Sequence, residues 1–424
     1  MARVKTLLSV ATCVLLLAGP GAQARPVQIW VTSETDAKYY QSMADLYRKA
    51  GHRAFQADVH AYGHVEMPDK LAVAIKTGAN PPDVVQLDEI FFSLYLRGEV
   101  PFVDLTTRVR EAGLDKKIVP QRSHLFEYGG RIYGLPQSLS AVLLYYRDDL
   151  FIDAKITPAS IDTWDTFRTV GRRVKASTGH SLLALDWSYF EILLRQRGYD
   201  VYDAAGSVTL DSAPAVETLQ WLADIQREGV GLIPDRSSIF ESTFFAGDVA
   251  NNEILAIIGA DWYGLDMIQN LAPNLSGKWR AMPLPVWTDR VSRGHSATSS
   301  FAGEGLLVYK GSTRVDDAWG FIRFVMENPE ANVQRYLQGN CLTAYQPAWS
   351  DPRLHRPEPY FGGQSVAGLL MKLAPETPTV YASPLKAQLV NLWREKYWAN
   401  VIRGGMSPRA ALVEMQAALK SAGR

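Results

Sequence analysis

Cysteine is nearly absent: 424 residues contain only Cys13 and Cys341. A disulfide framework and a cysteine-based metal site are therefore excluded. No excess of one charge sign exists either, since Lys plus Arg and Asp plus Glu each number 44. The chain thus offers no field for a polyanion, and nucleic acid is not an expected partner. Long apolar runs are also lacking. The one clear run, Leu7 to Ala18, is shorter than the roughly 20 residues a membrane span needs. Catalytic signatures are missing too. "GHSLL" and "GHSAT" lack the closing glycine of a G-x-S-x-G elbow. No P-loop, no G-x-G-x-x-G after a strand and no H-E-x-x-H is present. His60 and His64 share an i,i+4 spacing, but Gly63 and Pro68 argue against a helix carrying both. No metal or cofactor is implied.

The amino terminus, "MARVKTLLSVATCVLLLAGPGAQARPVQIW", has a basic start at Arg3 and Lys5, then the apolar run, a break at Gly19-Pro20-Gly21, and the small-x-small site Ala22-Gln23-Ala24. This is the pattern of a secretory signal peptide cleaved after Ala24. No cysteine lies directly after the cleavage site, so a lipid anchor is not expected there. Loss of the leader moves the net charge only from 0 to −2.

The remaining 400 residues exceed a single core of about 150 residues, so two or more domains are expected. "PVQIWVT" and "DVVQL" are short, apolar and β-branched, as strands are. "DAKYYQSMADLYRKAG" and "VEMPDKLAVAIKTG" carry apolar residues at helical spacing and stop at Gly51 and Gly78. "TWDTFRTVGRRVKASTG" predicts a helix capped by Thr163, with Phe167, Val170 and Val174 as its buried stripe. Further strands are predicted in "SAVLLYYR", "ILAIIG" and "GLLVYK", and a helix pair in the tail broken at Gly404-Gly405. Alternating strands and helices are the grammar of an α/β fold with largely parallel sheets.

In open α/β sheets, ligands bind beyond the carboxyl ends of strands. Ser33 and Glu34 follow the first strand, Asp88 and Glu89 follow "DVVQL", and Asp261, Trp262 and Tyr263 follow "ILAIIG". Each has an ordinary structural reading: Glu89 or Asp261 can cap a helix, and Trp262 can be core. Together they favour a neutral polyhydroxylated ligand. A sugar lays C–H faces on aromatic rings and gives hydroxyls to carboxylates and amides. Paired carboxylates such as Asp148-Asp149 or Asp88-Glu89 keep a secreted carbohydrate-active enzyme open as an alternative, although sequence neighbours point apart.

Several stretches, in order, resemble one family. "KLAVAIKTGANPPDVVQLD" is close to K-L-x-x-A-x-x-x-G-x-x-P-D-V-V-x-x-D, and "GGRIYGLPQSLSAVLLYYRDDLF" to G-K-x-Y-G-L-P-x…L-x-Y-N-K-D-L-F. "TWDTF", "FFAGDVANNEILAIIGADW" and "SPRAALVEMQAAL" fit its later motifs. The chain resembles the extracellular solute-binding proteins of sugar ABC importers, the maltose-binding-protein-like group, over about Val27 to Leu419. The resemblance implies a two-lobed type II periplasmic-binding-protein fold, each lobe a mostly parallel sheet flanked by helices. It places crossovers near Pro136-Gln137, near Pro283-Pro285 and around Asn328. The lobes would be 25–136 plus 285–328 and 137–284 plus 329–424, after a signal peptide at 1–24. It implies a sugar ligand, permease partners in the inner membrane, a periplasmic monomer and no chemistry.

Carried over residue by residue, the resemblance assigns Ser33, Glu34, Asp88, Glu89, Gln137, Ser138, Tyr145, Trp187, Asp261, Trp262, Tyr263, Gly303, Glu304, Trp349 and Glu376 to the pocket, with Tyr345 as a further late aromatic. Two departures matter. Glu304 stands where an aromatic is usual, and Glu376 where an arginine is common. With Glu34 and Glu89 they would be the signature of a cationic or amino-sugar ligand on the same fold. A receptor partner for a sensor kinase is the remaining alternative.

Overall fold

The computed structural model describes residues 25–234 and 238–422. The expected signal peptide, 1–24, lies outside the described residues. Among these residues the chain builds two five-stranded sheets. The first runs, in spatial order, Ala57–Ala61, Val27–Val31, Val84–Asp88, Glu304–Val308 and Gly134–Pro136. The second runs Trp279–Met282, Val142–Arg147, Ile254–Ala260, Ser181–Ala184 and Gly231–Leu232. In each sheet one strand opposes the rest. Glu304–Val308 is antiparallel to both its neighbours, and so is Val142–Arg147. The expectation of mostly parallel sheets is met, with one reversal per sheet.

Local chemistry accounts for the elements around them. Ser33 caps Glu34–Lys49 by accepting from the Asp36 N–H at 3.0 Å. Pro68 opens Met67–Thr77, and Gly78, at φ 69°, closes it in the left-handed region. Thr163 and Thr166 form a reciprocal cap on Trp164–Thr178, whose buried face includes Trp164, Phe167, Val170 and Val174. Ser212 and Asn328 cap two further helices that each begin with an early proline. No helix among the described residues is long and apolar enough to cross a membrane.

Apolar burial divides between the sheets. Around the second sheet, Leu143, Leu183, Ile257, Trp279, Leu222 and Trp393 belong to one continuous core. The first sheet has a core on each face, one with Ile29, Tyr40, Phe321 and Leu306, the other with Leu87, Phe92, Phe126 and Leu307. Each fully buried large side chain contributes about 1.5–3 kcal/mol of apolar transfer free energy.

Residues 137–141 carry the chain out of the first sheet. The return is later than Pro283-Pro285. Leu284, Trp287 and Phe301 still pack in the second sheet's core, and only at Glu304 does the chain enter the first sheet. A proline-rich string marks extended backbone, not the moment of crossing. Outgoing and returning segments pair directly. Ala141 bridges Ser300, and the Val142 N–H donates to the Ser299 carbonyl at 3.0 Å. Near Asn328, that residue caps the junction between two helices. The following helix, Pro329–Leu337, straddles the halves. Arg335 pairs with Asp36 on one side, while Val333 and Tyr336 pack into the larger core on the other.

Gly303, at φ 129°, sits where the return passes beneath Arg122. A Cβ there would lie 2.1 Å from Arg122 Nη2 and 2.9 Å from Ser140 Oγ. Gly303→Ala is therefore expected to cost about 2–4 kcal/mol through combined overpacking and backbone strain. Urea denaturation checks this: the midpoint should fall with an unchanged slope.

Candidate functional site

The carboxyl ends of the first sheet's strands gather a polar group. Val27–Val31 ends at Thr32, and Val84–Asp88 at Asp88 itself. The reversed strand runs the other way, so its first residue, Glu304, lies opposite Asp88 in register. Thr32 Oγ1 and Gln86 Nε2 both donate to the Glu304 carboxylate. The Gln137 N–H donates to the Glu304 carbonyl at 3.1 Å. Asp88 caps the short helix Glu89–Phe92 through Oδ1, which accepts the Ile90 N–H at 2.8 Å. Its other oxygen lies 3.6 Å from His64 Nε2.

Burial dominates the electrostatics. It raises the Glu304 carboxyl to about 7, with negative Asp36 and Asp88 adding to the effect and His64 and the Thr32 hydrogen bond opposing it. Burial depresses the His64 imidazole, but adjacent Asp88 and Glu304 outweigh it and lift His64 above its ordinary value.

The carboxyl ends of the second sheet gather aromatic rings. Trp187 follows Ser181–Ala184, and Trp262 follows Ile254–Ala260. Phe240 and Phe301 join them. Phe240 lies 6.1 Å from Trp262 at 28° and 6.3 Å from Phe301 at 15°. Trp262 and Phe301 are 6.4 Å apart at 32°, and Trp187 sits 6.1 Å from Phe301. Near-parallel rings at these spacings offer apolar faces beside one another. Trp187, Phe240 and Trp262 are only half-buried. Asp186, next to Trp187, accepts from Ser188 N at 3.0 Å, Ser188 Oγ at 2.7 Å and Ser238 Oγ at 3.2 Å, which anchors the turn that presents the indole. The aromatic and carboxylate groups are joined along the chain, since Phe301 lies three residues before Glu304.

Residues 32–332 match the family described as bacterial extracellular solute-binding protein. The chain belongs to this family. It is 24% identical over 361 residues to an arabinooligosaccharide-binding protein of Bacillus subtilis (strain 168), covering 83% of this chain and 82% of that one. It is 25% identical over 366 residues to a lactose-binding protein of Rhizobium radiobacter, covering 84% and 83%. Among solved structures, an ABC transporter associated binding protein from B. animalis subsp. lactis Bl-04, in complex with beta-1,6-galactobiose, aligns with a TM-score of 0.74 at 18% identity, over 94% of this chain and 97% of that one. The sugar-binding protein MalE from the phytopathogen Xanthomonas citri aligns with the same TM-score, identity and coverage. The fold is the two-lobed type II arrangement.

Not every residue expected in the pocket of this solute-binding protein joins these two groups. Tyr145 and Tyr263 are fully buried. Their hydroxyls donate to the carbonyls of Ala260 at 3.2 Å and Ile239 at 2.7 Å, so both are core. Asp261 is also fully buried. Its oxygens accept the Trp262 N–H at 2.9 Å and the Leu342 N–H at 3.1 Å, which leaves it as a brace. Burial raises its carboxyl to about 6. Ser138 bonds Ser140 Oγ at 2.8 Å inside the first crossing. Ser33 is occupied as a cap, its hydroxyl donating to Asp36 Oδ2 at 2.6 Å. Trp349 donates through Nε1 to the Thr343 carbonyl at 3.0 Å and packs on the larger core; Tyr345 lies in a core of the first sheet.

The expected acidic signature is dispersed. Glu34 is exposed on a helix start. Glu376 is exposed and accepts the Ala297 N–H at 2.8 Å. Glu89 is buried 3.7 Å from Lys386 Nζ. Only Glu304 remains with Asp88, beside Gln137, in the polar group. Thr32, His64, Gln86, Phe240 and Phe301 stand in these two groups without having been singled out for a pocket from the sequence. Thr32, directly before Ser33, was available to the strand-end argument; Phe240 carried no local signal.

The Glu304 pKa has a stability consequence. A carboxyl raised in the folded state adds stability below its unfolded value, and that stability is lost as pH rises through about 7. Glu304→Gln should flatten the fall in stability across this window. Melting temperatures of both proteins from about pH 5 to about pH 8 provide the measurement. Parallel curves would show that Glu304 does not carry the slope.

Proposed function

We propose that this chain is the sugar-capturing subunit of an ABC importer, binding a neutral mono- or oligosaccharide between its lobes. The observation carrying this reading is the presence of two unlike groups at strand ends of the two sheets, linked along the chain by residues 301–304. The Asp88, Glu304, Gln86 and Gln137 edge suits hydroxyls, and the Trp187, Phe240, Trp262 and Phe301 rings suit the C–H faces of sugar rings. Relatives named for arabino-oligosaccharide and lactose binding support the same ligand class. Dispersal of Glu34, Glu89 and Glu376 removes the feature that spoke for a cationic ligand.

The protein would act by binding alone, in the periplasm, as a monomer, after cleavage behind Ala24. Ligand touching both lobes favours the closed state by differential affinity, and the closed pair of lobes is what a membrane permease would engage. We divide the lobes at 25–136 plus 304–328 and 142–300, with 329–349 bridging them and 350–422 completing the second.

A thermal-shift screen of the chain from Arg25 tests the ligand class. It should include lactose, β-1,6-galactobiose, arabino-oligosaccharides, single sugars and polyamines. Binding to the native state at a hundredfold excess over Kd adds about 2.7 kcal/mol, so a sugar should raise the melting temperature by several degrees. A shift with spermidine and none with any sugar would overturn the reading, as would hydrolysis of a bound oligosaccharide. Trp262→Ala should weaken sugar binding about tenfold or more, a loss of roughly 1.4 kcal/mol, with the fold retained. Unchanged affinity would remove Trp262 from the site.

A further inference from the structure

A buried charge cluster lies where the two lobes meet. Lys386 opens the helix Lys386–Leu392, with its Nζ against the Glu191 carboxylate. Glu191 also accepts Arg195 Nη2 at 2.9 Å. Arg195 in turn donates from Nε to Asp200 at 3.0 Å and from Nη1 to the Ser300 carbonyl at 3.3 Å. All four groups belong to elements packed on the larger core. Two acids and two bases make this set neutral by itself.

Glu89 enters it from the other lobe. It is the residue directly after the first-sheet strand Val84–Asp88, and it is only 5% exposed. Its carboxylate reaches Lys386 Nζ at 3.7 Å, an ion-pair distance without a hydrogen bond. Beside it, the Ala387 N–H donates to Ser93 Oγ at 3.1 Å, and Arg97 Nη2 to Gln388 Oε1 at 3.2 Å. These bonds dock the Lys386–Leu392 helix on the segment that carries Glu89. Lys386 is thus already matched within its own lobe when Glu89 arrives as a fifth charge, with Asp88 next to it. Removing a carboxylate from water costs several kcal/mol unless good partners replace its hydration.

We propose that Glu89 is a brake on cleft closure: bringing the lobes together buries a carboxylate that the second lobe's neutral cluster only partly compensates, so the empty protein stays open and ligand must supply the difference. The proposal rests on the reading that the lobes close around a sugar. The groups facing Glu89 fit it. Burial is the largest influence and raises its carboxyl, Lys386 and Arg195 oppose that rise, and Asp88 and Glu191 add to it. Ligand affinity then equals intrinsic affinity scaled by the closed fraction, so Glu89 tunes affinity without touching the sugar.

Small-angle scattering of the ligand-free protein is the first test and needs no ligand. Glu89→Gln keeps the side chain's size and removes its charge. It should lower the radius of gyration at neutral pH. Wild type should also become more compact as pH falls and Glu89 takes up a proton, and Glu89→Gln should not. This wild-type measurement stands even where the variant folds poorly. Titration with lactose and an arabino-oligosaccharide should show binding about three- to tenfold tighter in the variant. An unchanged or larger radius, or weaker binding, would overturn the brake and make the Glu89–Lys386 contact neutral or a latch. If neither sugar binds wild type, the sugar reading fails while the scattering result still decides the brake.

Discussion

The architecture depends on one buried guanidinium. Arg122 has no carboxylate within ion-pair reach among the described residues, yet it lies in the interior. It donates to the Ser138 carbonyl at 3.3 Å, Ser300 Oγ at 2.8 Å and the Ala302 carbonyl at 3.0 Å. Those acceptors come from both crossing segments. Burial pulls the guanidinium down to about 10, with Asp261 and Glu89 opposing that from further away. It therefore stays charged at neutral pH and depends on those carbonyls to replace its water. Ser140 and Ala302, at φ 49° and 54°, adopt backbone that L-residues seldom take. Such strain persists where surroundings over-determine it, and Arg122 gripping both strands is that surrounding.

That clamp explains why the site forms where it does. The two crossings enter the two reversed strands, Val142–Arg147 and Glu304–Val308. Reversal puts the first residue of Glu304–Val308 beside the last residue of Val84–Asp88. A carboxylate at a strand's start thereby joins the side chains at its neighbours' ends. The same returning segment carries Phe301 into the aromatic group three residues earlier. One short stretch of chain thus contributes to both walls, and the clamp sets their spacing. Arg195, bonded to the Ser300 carbonyl, links this stretch to the charge cluster as well.

Much of this was legible in the sequence, and the remainder failed for definite reasons. Caps and glycine stops are local chemistry, so Thr163, Ser212 and Gly78 could be read directly. Strand ends followed from β-branched runs, which located Asp88 and Trp262, while Trp187 and Glu304 came only from the family resemblance. Side-chain direction at a strand end was not legible. Tyr263 differs from Trp262 by one position, yet it turns inward over Gly259 while Trp262 stays half-exposed. Long-range partners were not legible either. Nothing near Glu89 in sequence announces Lys386, and nothing near Arg122 announces Ser300. The departures at Glu304 and Glu376 suggested a common acidic pocket because linear reasoning cannot see that Glu376 lies on an outer surface beside Ala297.

The two acids of the first lobe whose carboxyls are raised, Glu89 and Glu304, differ in where their partners come from. Glu304 is held by Thr32 and Gln86, donors from its own lobe. Glu89 is different: its partner Lys386 belongs to the other lobe, so under the proposed brake its hydration depends on lobe position. An acid whose environment is fixed shapes which hydroxyls fit. An acid whose environment changes on closure shapes how much binding energy a ligand must bring. Dividing the roles in this way lets specificity reside in Glu304 and Asp88 while the closure threshold resides in Glu89. It also accounts for two neighbouring carboxylates, Asp88 and Glu89, which adjoin in sequence but face different parts of the molecule.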